Sequence, residues 1–447
     1  MASAYLTSGN LSSAGNQKKW TFSAWIKKLS IGADNGFLGY FVGTTNYFQA
    51  RFRSDDTIVF GNRDGGSWSV ELIPNRLFRD TNAWYHIVFQ YDSAQSTSSD
   101  RASIWINGVK ETSFAASTYP SQNANTKIPN AGYPIDIGRA KKDSNTYYLD
   151  GQMAHVHFCD GYAYQASDFG ETDATTGIWK PKVSPSGISY GTNGFFLKFD
   201  NSANMGLDSS GQSNNFTTNG TIIQAKDTPS NVFACLNRLQ RYDDYNLSNG
   251  NNTFTSTSAA AHRCVHSTLS ALSGKYYAEV KVIEVGGTYP QIGVINPDVI
   301  TFTDYLGGSN KGYGYLSNGN KQYNNSATSY GNTYTTGDII GIAMDLDNHK
   351  LYFHKNGTYQ NSGVPTSGST GTGAIDLATG VFYSFGQSAY DSGTDPVYDW
   401  NFGNGYFGTT AVASAQSPDD GNGVFEYDVP AGYRALCTKS LNAEEYS

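Results

Sequence analysis

The chain has 447 residues and a formal net charge of −8, and it combines only 15% charged residues with 49 Gly, 32 Tyr and 24 Phe. An acidic chain without a basic cluster excludes nucleic acid as a partner, because phosphate binding rests on Lys and Arg. No run approaches about 18 consecutive apolar residues, which excludes a membrane span. The N-terminus lacks the features of a standard secretory signal, so we expect that a role outside the cell would need another exit route, for instance lysis.

The first half of the chain begins with a predicted strand in which Trp20, Phe22, Ala24 and Ile26 face one way. Short alternating runs with turn residues between them predict further strands at Gly36–Val42, Ala50–Phe52, Thr57–Phe60, Trp68–Leu72, Trp84–Tyr91, Ser103–Ile106, Ile135–Ile137 and Gln152–Asp160. This spacing is typical of a β-sandwich or jelly roll.

One pattern of strand, acidic turn, strand and Asn-Gly occurs once in each half, at Trp84–Gly108 and at Gly337–Gly357. The pattern ends at Asn107-Gly108 in the first half and at Asn356-Gly357 in the second. Asn-Gly between strand-like runs predicts a tight type I′ hairpin turn, because that turn needs positive φ at both central residues. The repetition predicts two related antiparallel β domains.

The middle of the chain predicts a connector with an added strand at Gly194–Asp200 and a loop at Asp208–Asn215. In this loop, Asp208 and Asn214 carry the carboxylate and amide oxygens that calcium prefers. The alternative is an Asx-turn loop that satisfies its own backbone. Calcium is the only cofactor that the sequence suggests.

The second half predicts strands at Lys275–Val282, Gln291–Ile295, Gly312–Leu316, Val381–Phe385 and Tyr398–Gly403, besides those of the repeat. The predicted fold class is therefore all-β, with two tandem antiparallel β-sandwiches, a loop-rich connector and little helix. The predicted domains are residues 1–180, a connector at 181–236, and residues 237–447 with a C-terminal tail.

The sequence offers no clear reactive centre. A retaining glycosidase needs two carboxylates about 5–5.5 Å apart, and the nearest approaches are Glu279 with Glu284 and Asp345 with Asp347. The odd spacing of the first pair puts it on opposite faces of a regular strand, and the second pair lies in a turn. We expect no enzyme activity, and the alternative of another class is a polysaccharide-acting glucanase.

Two known families resemble these motifs. A resemblance to the laminin-G-like branch of the concanavalin A-like jelly rolls covers about residues 1–180 and lies in Trp20–Lys27, Asn82–Asp92, Ile104–Gly108, Ile137–Arg139 and Tyr148–Phe158. A resemblance to the SPRY family, another concanavalin A-like sandwich, covers about residues 240–435 and lies in Tyr276–Glu279, Gly337–Gly341, Asp345–Asp347 and Leu351–Gly357. The resemblance implies two branches of one superfamily, fused.

The SPRY resemblance also suggests where a ligand binds. Tyr305, Tyr323 and Tyr330 lie where SPRY domains present partner-binding loops. Tyrosine is common on binding surfaces because its ring adds contact area at low entropic cost. These three side chains are therefore candidates for ligand contact, and the alternative is that such aromatic rings fill the two sandwich cores.

The fusion of these two domains, with the ending Val429–Asn442, resembles virion proteins of tailed bacteriophages. The resemblance implies a non-enzymatic virion surface protein, either a tail-fibre or receptor-binding component that adheres to a host cell-surface glycan or protein, or a capsid decoration (knob) protein. The expected partners are other virion proteins and the host molecule, and analogy suggests a homotrimer. The expected location is the virion, assembled in the host cytoplasm and released by lysis.

Overall fold

The computed structural model describes residues 3–182, 185–239, 245–257, 262–299, 305–390 and 393–445. The chain divides into two compact units, unit 1 up to Gln224 and unit 2 from Ala225 onward. Both units consist mainly of antiparallel strands, which confirms the predicted all-β class.

Unit 1 contains eighteen strands within its described residues, together with a short helix α1 (Ala166–Phe169) and a 3-10 turn (Ser98–Asp100). The strands are β1 (Tyr5–Ser8), β2 (Lys19–Lys28), β3 (Asn35–Gly43), β4 (Asn46–Phe52), β5 (Ile58–Asp64), β6 (Ser67–Pro74), β7 (Trp84–Asp92), β8 (Ala102–Ile106), β9 (Val109–Lys110), β10 (Phe114–Thr118), β11 (Ile135–Ile137), β12 (Arg139–Lys142), β13 (Asn145–Tyr148), β14 (Gly151–Asp160), β15 (Gly170–Thr172), β16 (Trp179–Pro181), β17 (Phe195–Leu197) and β18 (Phe216–Asn219).

Two sheets enclose the core of unit 1. One has the order β10-β6-β5-β4-β3-β11-β1-β18, and the other has the order β17-β14-β2-β7-β8-β9. Aromatic rings from both sheets meet between them: the ring of Trp20 lies 5.3 Å from that of Phe48, and the ring of Phe60 lies 4.7 Å from that of Phe89. This face-to-face packing is that of a β-sandwich.

Unit 2 contains seventeen strands within its described residues, with helix α2 (Thr438–Glu445) near the C-terminus and 3-10 turns at Pro297–Val299, Gln360–Ser362 and Pro365–Thr370. The strands are β19 (Tyr245–Ser248), β20 (Thr253–Ser256), β21 (His262–His266), β22 (Lys275–Glu284), β23 (Thr288–Ile295), β24 (Gly312–Leu316), β25 (Asn320–Tyr323), β26 (Ser326–Ser329), β27 (Ile339–Asp345), β28 (Lys350–Lys355), β29 (Thr358–Tyr359), β30 (Ile375–Asp376), β31 (Ser384–Tyr390), β32 (Val397–Asn401), β33 (Tyr406–Phe407), β34 (Thr410–Ala411) and β35 (Arg434–Ala435).

Unit 2 is also a two-sheet sandwich. Its first sheet has the order β19-β20-β32-β22-β27-β28-β29, with β30 paired to β28 and β35 paired in parallel to β22. Its second sheet has the order β21-β31-β23-β24-β25-β26. Ile342 of β27, Phe353 of β28 and Val294 of β23 are fully buried in one core cluster between the sheets.

The repeated pattern forms the same local structure in both units. Asn107 and Gly108 have φ of 49° and 85°, and Asn356 and Gly357 have φ of 48° and 82°. Each pair joins two antiparallel neighbours, β8 to β9 and β28 to β29. The Asn-Gly hairpins are therefore confirmed.

The segment predicted as a connector, residues 181–236, does not stand apart from the two units. β17 pairs with β14 and β18 pairs with β1, so the chain up to Gln224 extends the two sheets of unit 1. Further on, the Ala234 N–H donates to the Leu436 carbonyl at 2.9 Å, which ties this part of the chain to the end of unit 2. The part up to Gln224 belongs to unit 1 because its side chains Phe195, Leu197 and Phe216 are buried in the core of that unit.

We expect the substitution Trp20→Ala to lower the free energy of unfolding of unit 1 by about 3–5 kcal/mol, because it removes a fully buried ring from the core. Native-state hydrogen exchange of peptides from β7 measures this loss. Val109→Ala is the control, because this side chain is 61% exposed and its truncation should change stability by no more than about 0.5 kcal/mol. Equal effects of the two substitutions would contradict the assignment of Trp20 to the core.

Candidate functional site

The loop Asp208–Asn215 is held by its own hydrogen bonds. Asp208 Oδ1 accepts the N–H groups of Phe196 and Ser210, each at 2.8 Å. Its Oδ2 accepts the Ser210 hydroxyl at 2.8 Å and the Asn214 N–H at 2.9 Å. This is the arrangement of an Asx turn. A calcium ion would have to displace these donors, so calcium at Asp208 and Asn214 stays a prediction.

The same loop lines a shallow cleft of about 210 Å³ in unit 1. We call it the amide cleft, and its lining consists of Ser8, Gly9, Asn10, Leu11, Ser12, Ile135, Asn193, Phe195, Ser213, Asn214, Asn215 and Phe216. The Asn214 side chain forms part of its wall, since Nδ2 donates to the carbonyls of Thr192 and Gly194 at 2.9 and 2.8 Å. The lining contains amides and hydroxyls but no charged side chain.

A second cleft of unit 1 has a volume of about 400 Å³. We call it the glycine cleft, and its lining consists of Ala14, Gly15, Asn16, Asp160, Gly161, Tyr162, Gly191 and Thr192. The Tyr162 side chain is 41% exposed, and its ring lies 5.9 Å from that of Tyr164 in a nearly parallel stack. An exposed ring beside polar groups is a surface on which an apolar or sugar-like face can stack.

Asp160 organises the glycine cleft. Its Oδ1 accepts the Asn16 N–H at 2.6 Å, and its Oδ2 accepts the backbone N–H and the side-chain amide of Asn193 at 3.1 and 3.2 Å. A Cβ at Gly15 would lie 2.2 Å from Asp160 Oδ2, so only glycine allows the chain to approach this closely. No local sequence pattern predicts this cleft, because its residues come from three separate segments.

Two of the three predicted tyrosines lie at one turn of unit 2. Tyr305 donates its hydroxyl to Asn325 Oδ1 at 2.6 Å, and the ring of Tyr323 stacks on that of Tyr313 at 4.5 Å. The backbone of Asn324 and Asn325 forms the β25–β26 turn between them, with φ of 48° and 58°. We call Tyr305, Tyr323, Asn324 and Asn325 the tyrosine turn. Tyr323 is 38% exposed and supplies its accessible ring.

The third tyrosine, Tyr330, does not lie on this surface. It is only 5% exposed and packs in the core cluster of unit 2, with its ring 5.7 Å from that of Tyr315. Its hydroxyl accepts the Phe353 N–H at 3.3 Å, and burial raises its pKa. The prediction that Tyr330 contacts a ligand is therefore corrected, because the chain turns inward after β26.

A Ser-His pair in unit 1 is arranged for structure rather than for nucleophilic attack. Ser23 Oγ lies 2.8 Å from His86 Nε2, and Trp179 Nε1 donates to His86 Nδ1 at 3.0 Å. Because Nδ1 accepts, Nε2 carries the proton and donates it to Ser23, so the imidazole cannot act as a base toward this hydroxyl. Burial lowers the pKa of His86 to about 3, which keeps the ring neutral.

The carboxylates that came nearest to a glycosidase pair have other partners. Glu279 is fully buried and bound by four hydrogen-bond donors, while Glu284 Oε1 accepts the Gly286 N–H at 3.2 Å. Asp345 forms an ion pair with Lys275 at 3.0 Å, and Asp347 accepts the Gly274 N–H at 2.7 Å. Each of these contacts belongs to the fold of unit 2.

Within the described ranges, no group of three or more His, Cys, Asp or Glu side chains is placed to hold a metal ion. In the same ranges, no helix has the length and apolar character needed to cross a bilayer. All four cysteines, Cys159, Cys235, Cys264 and Cys437, are buried and unbridged.

Comparison with known proteins agrees with the two-unit architecture. Residues 1–168 match the family model described as the concanavalin A-like lectin/glucanases superfamily (Laminin_G_3), and residues 275–387 match the SPRY domain. The crystal structure of the SPRY domain of human HERC1 is similar at 16% sequence identity and a TM-score of 0.29, over 37% of this chain and 92% of that chain.

Ran-binding protein 9 is a similar curated protein. The Danio rerio protein is 31% identical over 152 residues, which are 33% of this chain and 23% of that protein. The Homo sapiens protein is 30% identical over 152 residues, which are 33% of this chain and 19% of that protein. The chain thus spans less than a quarter of the length of these relatives. The match to the concanavalin A-like family lies in the first half of the chain, and the match to the SPRY domain lies in the second.

Proposed function

We propose that the protein is a non-enzymatic surface protein of a bacteriophage virion, a tail-fibre or receptor-binding component that adheres to a glycan or protein on the host cell. The observation that carries the proposal is that each unit has candidate binding surfaces of its own. Unit 1 has an uncharged, amide-lined cleft and an exposed tyrosine, and unit 2 has the tyrosine turn. Lectin-like and SPRY domains both suggest binding, and the SPRY domain suggests a protein as one partner.

The chemistry of the buried polar groups supports a role without catalysis. The His86 tautomer leaves Ser23 without a base, and the glycosidase-like carboxylates are engaged in ion pairs or backbone hydrogen bonds. A glucanase would need an acid and a nucleophile or base flanking one sugar-sized cleft. In the two described clefts, Asp160 is the single carboxylate.

The virion assignment rests on the resemblance of the domain order and of the ending Val429–Asn442 to tailed-phage proteins. It includes assembly in the host cytoplasm, other virion proteins as partners, and a homotrimer by analogy. Mass spectrometry of purified particles tests it, and copy number separates a fibre, present as a few oligomers, from a capsid decoration protein, present in tens to hundreds of copies per particle by rough estimate.

We expect an excess of the purified protein to block phage adsorption.

We also expect Tyr162→Ala or Tyr323→Ala to weaken cell binding by about tenfold, because each substitution removes an exposed ring from a candidate surface. Titration of labelled protein on host cells measures the apparent Kd. Leu77→Ala is the matched control, since this exposed side chain lies outside both surfaces. Wild-type affinity in both tyrosine variants would refute the placement of the binding surfaces.

We expect Asp208→Ala to lower the free energy of unfolding of unit 1 by about 1–3 kcal/mol, because three backbone N–H groups lose their acceptor. Gln212→Ala, at an exposed position of the same loop, should leave stability unchanged.

If the loop binds calcium, calcium should raise the Tm of the wild type but not that of the Asp208→Ala variant. Equal Tm values in calcium and in chelator would leave the Asx turn as the role of the loop.

A further inference from the structure

The last part of unit 2 covers the outer face of its first sheet. Residues 424–437, which we call the C-terminal cover, bury Phe425, Tyr433 and Ala435 against Tyr277 and Tyr352 of that face. β35, within the cover, pairs in parallel with β22 at Tyr276 and Tyr277. Tyr277 and Tyr352 are therefore buried although they lie outside the core cluster between the two sheets.

One carboxylate holds the beginning of the cover. Glu279 Oε2 accepts the Glu426 N–H and Oε1 accepts the Tyr427 N–H, both at 2.8 Å. Asn401 Nδ2 donates to Glu279 Oε2 at 3.3 Å and to the Val424 carbonyl at 3.0 Å. Main-chain groups of the cover thus converge on a single side chain of β22.

The fourth donor to Glu279 is the Tyr277 hydroxyl, and a chain of hydrogen bonds determines that it donates rather than accepts. The Gly357 N–H donates to His354 Nδ1 at 3.1 Å, so His354 Nε2 carries the proton and donates to the Tyr277 oxygen at 2.5 Å. The Tyr277 hydroxyl then donates to Glu279 Oε1 at 3.0 Å. All four partners of Glu279 are hydrogen-bond donors. A proton on the carboxyl group would therefore compete with one of these donors for a carboxyl oxygen.

Burial makes the ionised form of Glu279 unfavourable. Glu279 is 0% exposed, and in the described part of the chain its partners are neutral, with no Lys or Arg in an ion pair to it. A buried charge without a counter-ion loses its hydration, and hydrogen bonds recover only part of that loss. Opening the cover would return the carboxylate to water, so ionisation of Glu279 works against closure.

We propose that Glu279 makes the docking of the C-terminal cover sensitive to pH, with the cover held more tightly when Glu279 is protonated and more weakly when it is ionised. Burial, outweighing the hydrogen bonds, raises the pKa of Glu279 to about 7 from its ordinary value of 4.5. The closed state therefore binds a proton more tightly than an open, hydrated state does. Linkage then predicts that closure is favoured below pH 4.5 and that this contribution is lost as the pH rises through about 7.

Three tyrosines and one histidine that face Glu279 stay in their neutral forms near neutral pH. Burial raises the pKa values of Tyr277 on β22, Tyr359 on β29 and Tyr427 on the cover, and it lowers the pKa of His354 on β28 to about 3. The side chain of Glu426 on the cover accepts the Ala413 N–H at 2.6 Å. Asp338, which interacts electrostatically with Tyr427, forms an ion pair with Lys355.

Hydrogen exchange of the full chain, followed by mass spectrometry, tests the proposal. Protection of peptides from the C-terminal cover is divided by that of peptides from β27 at the same pH, which cancels the intrinsic pH dependence of exchange. We expect this ratio to fall by about tenfold between about pH 6 and about pH 8.5 in the wild type. In Glu279→Gln, which cannot ionise, we expect a ratio that changes by less than about twofold.

Tyr427→Ala is the matched control. It removes a ring that packs 5.2 Å from the His354 ring but keeps the backbone N–H that Glu279 binds. We expect weaker protection of the cover at both pH values, with the wild-type pH dependence retained. A wild-type ratio that does not change with pH, or a Glu279→Gln variant that keeps the change, would overturn the proposal even where the substitution itself loosens the cover.

Discussion

The central strands of both units have almost no side chain that faces water. In β2 every residue after Lys19 is buried, and in β27 every residue after Ile339 is buried. Two stacked sheets bury only one face of each sheet. Each unit therefore needs a third layer, and the rest of its organisation follows from how the chain supplies one.

Both units supply that layer from segments outside the central strands of the sheet. In unit 1, Phe169 and Tyr190 pack on Val88 and Trp105 of the outer face. In unit 2, the C-terminal cover does the same on Tyr277 and Tyr352. Polar groups on these outer faces are then buried as well, and the third layer has to satisfy them. Trp179 does this for His86, and backbone N–H groups of the cover do it for Glu279.

Local patterns explain why much of the fold could be predicted from the sequence. The alternation in β2 and the two Asn-Gly turns depend on a few neighbouring residues, and both formed as expected. Tyr330 illustrates the limit, because whether a loop side chain points outward depends on the opposite sheet. The third layers escaped prediction for the same reason. Their residues are irregular in sequence, and only the apolar outer face of a distant sheet makes them necessary.

The candidate binding surfaces were predicted in part for related reasons. The tyrosine turn rests on two residues that the sequence singled out, and the structure adds the Asn325 side chain, which binds Tyr305 at the turn that follows Tyr323. The glycine cleft depends on Asp160 meeting Gly15 and Asn193 from distant parts of the chain. No local signal marks such a meeting. Both surfaces lie at loops and turns, where sequence can vary without loss of the sandwich core.

The third layer of unit 2 has a practical consequence for anyone who wishes to isolate this half of the molecule. The SPRY match ends at residue 387, before β32 and the cover. A fragment cut at the family boundaries would leave the aromatic outer face of β22 and β28 in contact with solvent, and self-association is the usual fate of such a patch. An expression fragment that begins near Ala225 and runs through helix α2 retains the missing layer.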